Sequence, residues 1–340
     1  YDFLEGMPKH GLRDTCVSPL PWLDGRHALV DTVRWTATSG KVWGDFMDYA
    51  GIDQAVIYPS SGLALGLIQI TDYAINVARA YNRWLHASHL QPEPRLRAPA
   101  LLPLQDPTAA AEELRFAVEQ LGMVGGMLCS VTWNMKPLGE PEFEPIYAEA
   151  ERLDVPLILH GGTTQGLGLD MLRRWPAAHA LEHPLPLFIH LTSMVYEGVF
   201  DRHPNLRVGL FEAGTGWLPF MMDRLDYDAH ALGKNDPAIS KLRRKPSAYI
   251  QDHIYVTCEP GERFLPLIAQ AIGEDKIMYA SDFPHELEYE DYPEDIEELA
   301  ERADLSETAR RNILGTTAAA FYKLSAGTAS KTEGSAAATR

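Results

Sequence analysis

Positive charge is scarce in this chain. Thirty Lys and Arg stand against 47 Asp and Glu, a formal net charge of −17 at pH 7. A nucleic-acid binder needs a basic face, and an anionic membrane attracts basic segments, so neither is an expected partner. A small anionic substrate is not excluded, because one metal ion can dominate a pocket. Cysteine is also scarce: Cys16, Cys129 and Cys258 are odd in number, widely spaced and without a CxxC. That fits a reducing cytoplasm better than a disulfide framework. No run of eighteen apolar residues occurs, so no transmembrane helix is expected, and no secretory signal opens the chain. Neither GxGxxG nor the GxxxxGKS/T loop follows an apolar run, which removes support for a nucleotide-binding open sheet.

What is present is an alternation. The 340 residues are 46% hydrophobic and 23% charged, enough for a large core. Seven short, nearly continuous apolar runs read as buried parallel strands: 53–59, 96–104, 124–129, 155–160, 206–212, 253–259 and 276–282. Helical periodicity follows each, including long helices over 71–90 and 184–202 and a helix over 109–121 capped by Asp106 or Thr108 and ended by Gly122. Trp84 reads as a core residue of the first of these. Seven strand–helix units in series predict an α/β fold, a distorted (β/α)8 barrel of the TIM type whose first strand is missing from view. Residues 1–40 read as an irregular arm, 41–325 as the barrel and 326–340 as a small, polar, disordered tail.

In such a barrel the chemistry gathers where strands end. Four successive runs end in ionisable groups: His160, Glu212, Cys258–Glu259 and Asp282. Histidine with carboxylate at an open mouth suits one divalent metal, zinc first, with iron or manganese as alternatives. His190 reads as a helix residue facing the mouth. Trp133 and Trp217 lie near strand ends, where they would line an apolar pocket, and His285 follows Asp282 in the same loop and reads as a contact to the substrate or to the groups around the ligands. His179 and His183 are four apart and read as a surface pair beside Pro184, with Arg173 and Arg174 solvated.

The stretches VPLILHGG at 155–162, GVFDRHPNLRVGLFEAGTGWLPFMMDRLD at 198–226 and IMYASDFPHE at 277–286 resemble the amidohydrolase-related (amidohydrolase 2) family. So do GIDQAVIYPS at 51–60, YVTCEPGE at 255–262 and NILGTTAAAFYKL at 312–324. This branch holds aminocarboxymuconate-semialdehyde decarboxylase and the resorcylate-type decarboxylases. The resemblance implies a distorted barrel with one divalent metal, His160 and Asp282 as metal ligands, and Asp282 as the proton-handling group. Glu212 sits where those decarboxylases carry a catalytic histidine. The family's first strand ends in His-x-His, a motif that none of the twelve histidines here forms. One expectation covers both gaps: the strand with His-x-His lies before Tyr1. The alternative is a divergent site of His160 and Asp282 completed by Glu212 or His190.

The expected activity is metal-dependent non-oxidative decarboxylation of a small aromatic or unsaturated carboxylic acid, with Asp282, Glu212 and His190 as catalytic candidates. Hydrolysis of an amide, ester, thioester or lactone is the alternative, and a barrel without catalysis, serving in binding or assembly, is a third. The resemblance also implies a homodimer, while the cytoplasmic expectation rests on the cysteine usage.

Overall fold

The computed structural model describes residues 39–59, 61–162, 167–283 and 289–325. The expected arm (but for its last two residues), the tail, Cys16 and His285 lie outside these residues.

The apolar runs form a parallel array. β1 (Ala55–Val56) pairs with β2 (Leu96–Arg97), and β3 (Ala100–Leu101) pairs with β4 (Gly126–Cys129). Ladders then run through β5 (Leu157–His160), β6 (Val208–Phe211), β7 (Ile254–Cys258) and β8 (Ile277–Tyr279). β2 and β3 belong to one stretch of chain. Its Arg95 and Arg97 carbonyls accept from Ala55 N and Ile57 N at β1, and its Ala98 carbonyl accepts from Val124 N on the other side. Seven strand positions thus follow each other in chain order, as the apolar runs predict. Among the described residues no ladder joins β8 to β1, and the expected strand with His-x-His is not among them.

Helices cover the array. They are α1 (Gly40–Ala50), α2 (Thr71–Leu85), α3 (Pro107–Leu121), α4 (Glu144–Leu153), α5 (Trp175–Glu182), α6 (Pro184–Tyr196) and α7 (Val199–Arg202). Then come α8 (Leu218–Ala231), α9 (Pro246–His253), α10 (Leu265–Ile272), α11 (Tyr292–Glu301), α12 (Glu307–Arg311) and α13 (Thr317–Tyr322). Local chemistry sets their ends. The Asp106 carboxylate accepts from Thr108 N and Ala109 N, Pro107 opens α3, and Gly122 closes it at φ 67°. Two expected long helices are shorter. The helix predicted over 71–90 stops at Leu85 and continues as one π turn, His86–Leu90. The helix predicted over 184–202 breaks at Gly198, whose φ of 68° admits the turn. Trp84, expected in the core, is 49% exposed.

Leu157, Ile158 and Leu159 on β5 are fully buried, as are Met127, Leu128 and Val208 beside them. Each such side chain contributes about 1.5–3 kcal/mol by leaving water. An aromatic layer of Phe211, Phe321 and Tyr322 packs with Ile158 and Met278, bringing the last helix against the strands. Gly209 makes room for it, since a Cβ there would stand 3.2 Å from the Phe321 ring. The outcome is a buried parallel sheet whose carboxyl ends hold the ionisable residues.

Candidate metal centre at the strand ends

His160 is the last residue of β5 and pairs in register with Phe211, which places Glu212 one residue further along β6. Glu212 reaches across, its Oε2 2.9 Å from His160 Nδ1. Asp282, three residues beyond β8, acts electrostatically on the same imidazole. The sequence-predicted trio is therefore brought together. Both carboxylate residues hold left-handed backbone, Glu212 at φ 61° and Asp282 at φ 51°. For residues with a Cβ this strain costs about 1–3 kcal/mol, and such positions gather at functional sites.

The loops that carry the strain are clamped. Glu212 N donates to Thr257 Oγ1 on β7 at 3.0 Å. Glu262 accepts from Thr215 N at 2.9 Å, from the Thr215 hydroxyl, and from Glu259 N at 3.1 Å. One carboxylate thus ties the loop after β6 to the loop after β7. Trp217 is half-buried, donates its indole N–H to the Gly214 carbonyl at 2.9 Å, and packs against Phe188. Trp133 is 47% exposed in the loop after β4, its backbone N–H donated to Gly66 O.

Two histidines are placed otherwise than the sequence predicts. His190 was expected at the mouth; it is buried, and both ring nitrogens are taken by backbone. Nδ1 accepts from Leu138 N at 3.2 Å, so Nε2 carries the proton and donates to Ser130 O at 2.7 Å. Burial outweighs the Ser130 bond and pushes its pKa down to about 4. A neutral ring with no free nitrogen clasps the loop after β4 onto α6 and has no lone pair or proton left for a substrate.

His183 makes the opposite correction. Expected on the surface, it is buried at the junction of α5 and α6, with Nε2 3.6 Å from Glu212 Oε2. Gly161 explains the approach. A Cβ at 161 would stand 2.7 Å from His183 Cα and 2.9 Å from its ring Cδ2. The glycine after His160 is therefore the signal that another element closes over the strand end. Glu182 is buried beside it, and burial, then the Glu212 charge, push its pKa up to about 7. The His183 pKa lies below the ordinary value because burial outweighs the Glu212 attraction.

His160 has the chemistry of a ligand. Its Nδ1 lies 2.7 Å from Gly161 O as well as beside Glu212. A proton on Nδ1 has these oxygens to bond, which leaves the lone pair on Nε2. Metal-binding histidines are held in this way by carbonyl or carboxylate oxygens. Burial disfavours the charged ring, but Glu212, the Gly161 carbonyl and Asp282 together hold its pKa above 6.5. Cys129 and Cys258 are buried; burial raises Cys129 to about 12 and raises Cys258 also, so neither of these two is a thiolate of its own accord.

A barrel-type parallel array with histidine and acid at its strand ends defines a class of metal-dependent enzymes. The sequence profile of the amidohydrolase family matches residues 21–324, and the chain belongs to that family. It is 32% identical over 245 residues to gamma-resorcylate decarboxylase of Rhodococcus jostii, across 68% of this chain and 74% of that one. The solved structure of 2,6-dihydroxybenzoate decarboxylase from Rhizobium superposes with a TM-score of 0.70 at 27% identity, over 83% and 87% of the two chains. That of 5-carboxyvanillate decarboxylase from Novosphingobium aromaticivorans, complexed with manganese and 4-hydroxy-3-methoxy-5-nitrobenzoic acid, gives 0.75 at 25% identity, over 89% and 86%.

Proposed function

We propose that this protein is a metal-dependent carboxy-lyase that removes carbon dioxide, without oxidation, from a small aromatic carboxylic acid. The observation that carries the reading is the joint placement of His160, with its Nδ1 proton held, and Asp282 at neighbouring sites on the strand ends. The names of the relatives support the choice of decarboxylation and of an aromatic acid.

His160 and Asp282 would hold the ion. When bound, it would anchor the substrate's carboxylate or an adjacent hydroxyl and draw charge from it. Manganese suits this nitrogen and oxygen donor set at least as well as zinc, and it is the metal named with one structural relative. Glu212 keeps the His160 tautomer fixed. Asp282, in its acid form, gives its proton to the ring carbon that bears the carboxylate. The carbon–carbon bond then breaks, its electron pair restores the aromatic ring, and carbon dioxide leaves. A weak carbon base needs a donor positioned in this way. The same reading takes the protein as a homodimer in the cytoplasm, a reducing compartment that the free, buried Cys129 and Cys258 fit. Among the described residues no helix is long and apolar enough to cross a membrane.

The test is carbon dioxide release from dihydroxybenzoates and 5-carboxyvanillate, with manganese or zinc and with a metal-free control. Asp282→Asn keeps a residue that tolerates left-handed backbone while removing the acid, and its rate is expected to fall by about 10³-fold or more. Metal-dependent cleavage of esters or lactones with no carbon dioxide from any acid would replace this reading with hydrolysis, in which a carboxylate such as Glu212 accepts the proton.

A further inference from the structure

We propose that His179, Glu182 and His183 form a second divalent-cation site, of the kind zinc occupies, beside the His160–Asp282 centre and separate from it. The spacing i, i+3, i+4 puts the three side chains on one helical face at the end of α5. Each offers a ligand atom, and these atoms all lie within 4.8 Å of one another. The two imidazole rings stand 4.7 Å apart at 65°.

The surroundings fit an ion better than a surface cluster. Glu182 is 4% exposed and His183 9%. Among the described residues no arginine or lysine pairs with Glu182. Burying a carboxylate is costly unless a cation meets it, and here the neighbours are imidazoles. Two imidazoles and one carboxylate are a zinc donor set that leaves a fourth position for water. Glu212 adjoins from the other side, 3.6 Å from His183 Nε2, so an ion here would stand next to the carboxylate that orients His160.

The test is metal binding, read without turnover. The purified protein is loaded with zinc, desalted and measured by elemental analysis, and cobalt titration follows the absorption of the bound ion. His179 is half-buried rather than core, so His179→Ala is expected to fold, and circular dichroism checks it. Expected is one zinc lost in His179→Ala, and affinity for that ion at least about tenfold weaker in Glu182→Gln. His160→Ala is expected to keep this ion, whatever becomes of the first. A parent holding no ion that His179→Ala removes, or a His160→Ala protein emptied completely, overturns the proposal. Failure of the first centre alone leaves the His179 difference intact, so the two are distinguishable.

Discussion

Glu149 and Glu212 are both carboxylates held between two nitrogen-bearing side chains, on opposite terms. Glu149, on α4, takes Arg115 Nε of α3 at 2.8 Å and Arg152 Nη2 of its own helix at 2.7 Å. Glu212 lies between His160 and His183. A guanidinium keeps its charge at any ordinary pH and has no lone pair to offer. An imidazole changes charge near neutrality and binds metals. The bonds from Arg152, joined by those from Arg115 and opposed by burial, hold Glu149 down to about 2. The first carboxylate is fixed as an anion for packing two helices. The second sits on strained backbone among groups that exchange protons and ligands. Chemistry is expected only at the second.

The largest effect that would sharpen this contrast is at Glu212. Glu212→Gln frees the His160 proton, and kcat/KM for the decarboxylation is expected to fall by about 100-fold, with metal affinity lowered and Tm little changed. A Tm that collapses while activity persists would put Glu212 with Glu149 as a packing residue. Next is His190, an imidazole that faces only backbone. Its folded pKa of about 4 lies below the ordinary 6.5, so the unfolded chain takes up the proton first. Its contribution is whole above pH 6.5 and is lost as pH falls toward 4, roughly 2 kcal/mol by pH 5. Urea unfolding at pH 7 and pH 5 should show this loss in the parent and a smaller one in His190→Asn.

Glu149→Gln should lower stability by roughly 1.5–2 kcal/mol at pH 7 and leave turnover intact. The folded value lies below the ordinary 4.5, so the stabilisation is present above pH 4.5 and is lost as pH falls through about 2. The gap in Tm between parent and variant should therefore narrow at pH 3; a constant gap would show that packing, not charge, is lost. The smallest effect is at the α3 cap, where Asp106→Ala should cost about 1 kcal/mol with no effect on activity.

Much of this was legible in the sequence. The seven strands were, because parallel strands covered on both faces need unbroken apolar runs, and Leu157–Leu159 are such a run. His160, Glu212 and Asp282 were, because each is the first ionisable group after one. His183 was not. Its helix is short and its apolar residues do not gather on one face, so periodicity marks no buried side; what buries it is the contact with Gly161, which the chain order does not show. His190 looked like a mouth residue because it interrupts an apolar helix. Its partners, Ser130 and Leu138, are 60 and 52 residues away.

The closeness of Gly161 to His183 makes the two positions one unit of variation. A side chain at 161 has no space until 183 retreats, and a retreat at 183 removes an imidazole from beside Glu212. Relatives that differ at one position are therefore expected to differ at both, and a chain that loses the glycine has changed its chemistry along with its loop. The pair marks where this barrel's history can branch: not by drift at a single site, but by a coordinated step.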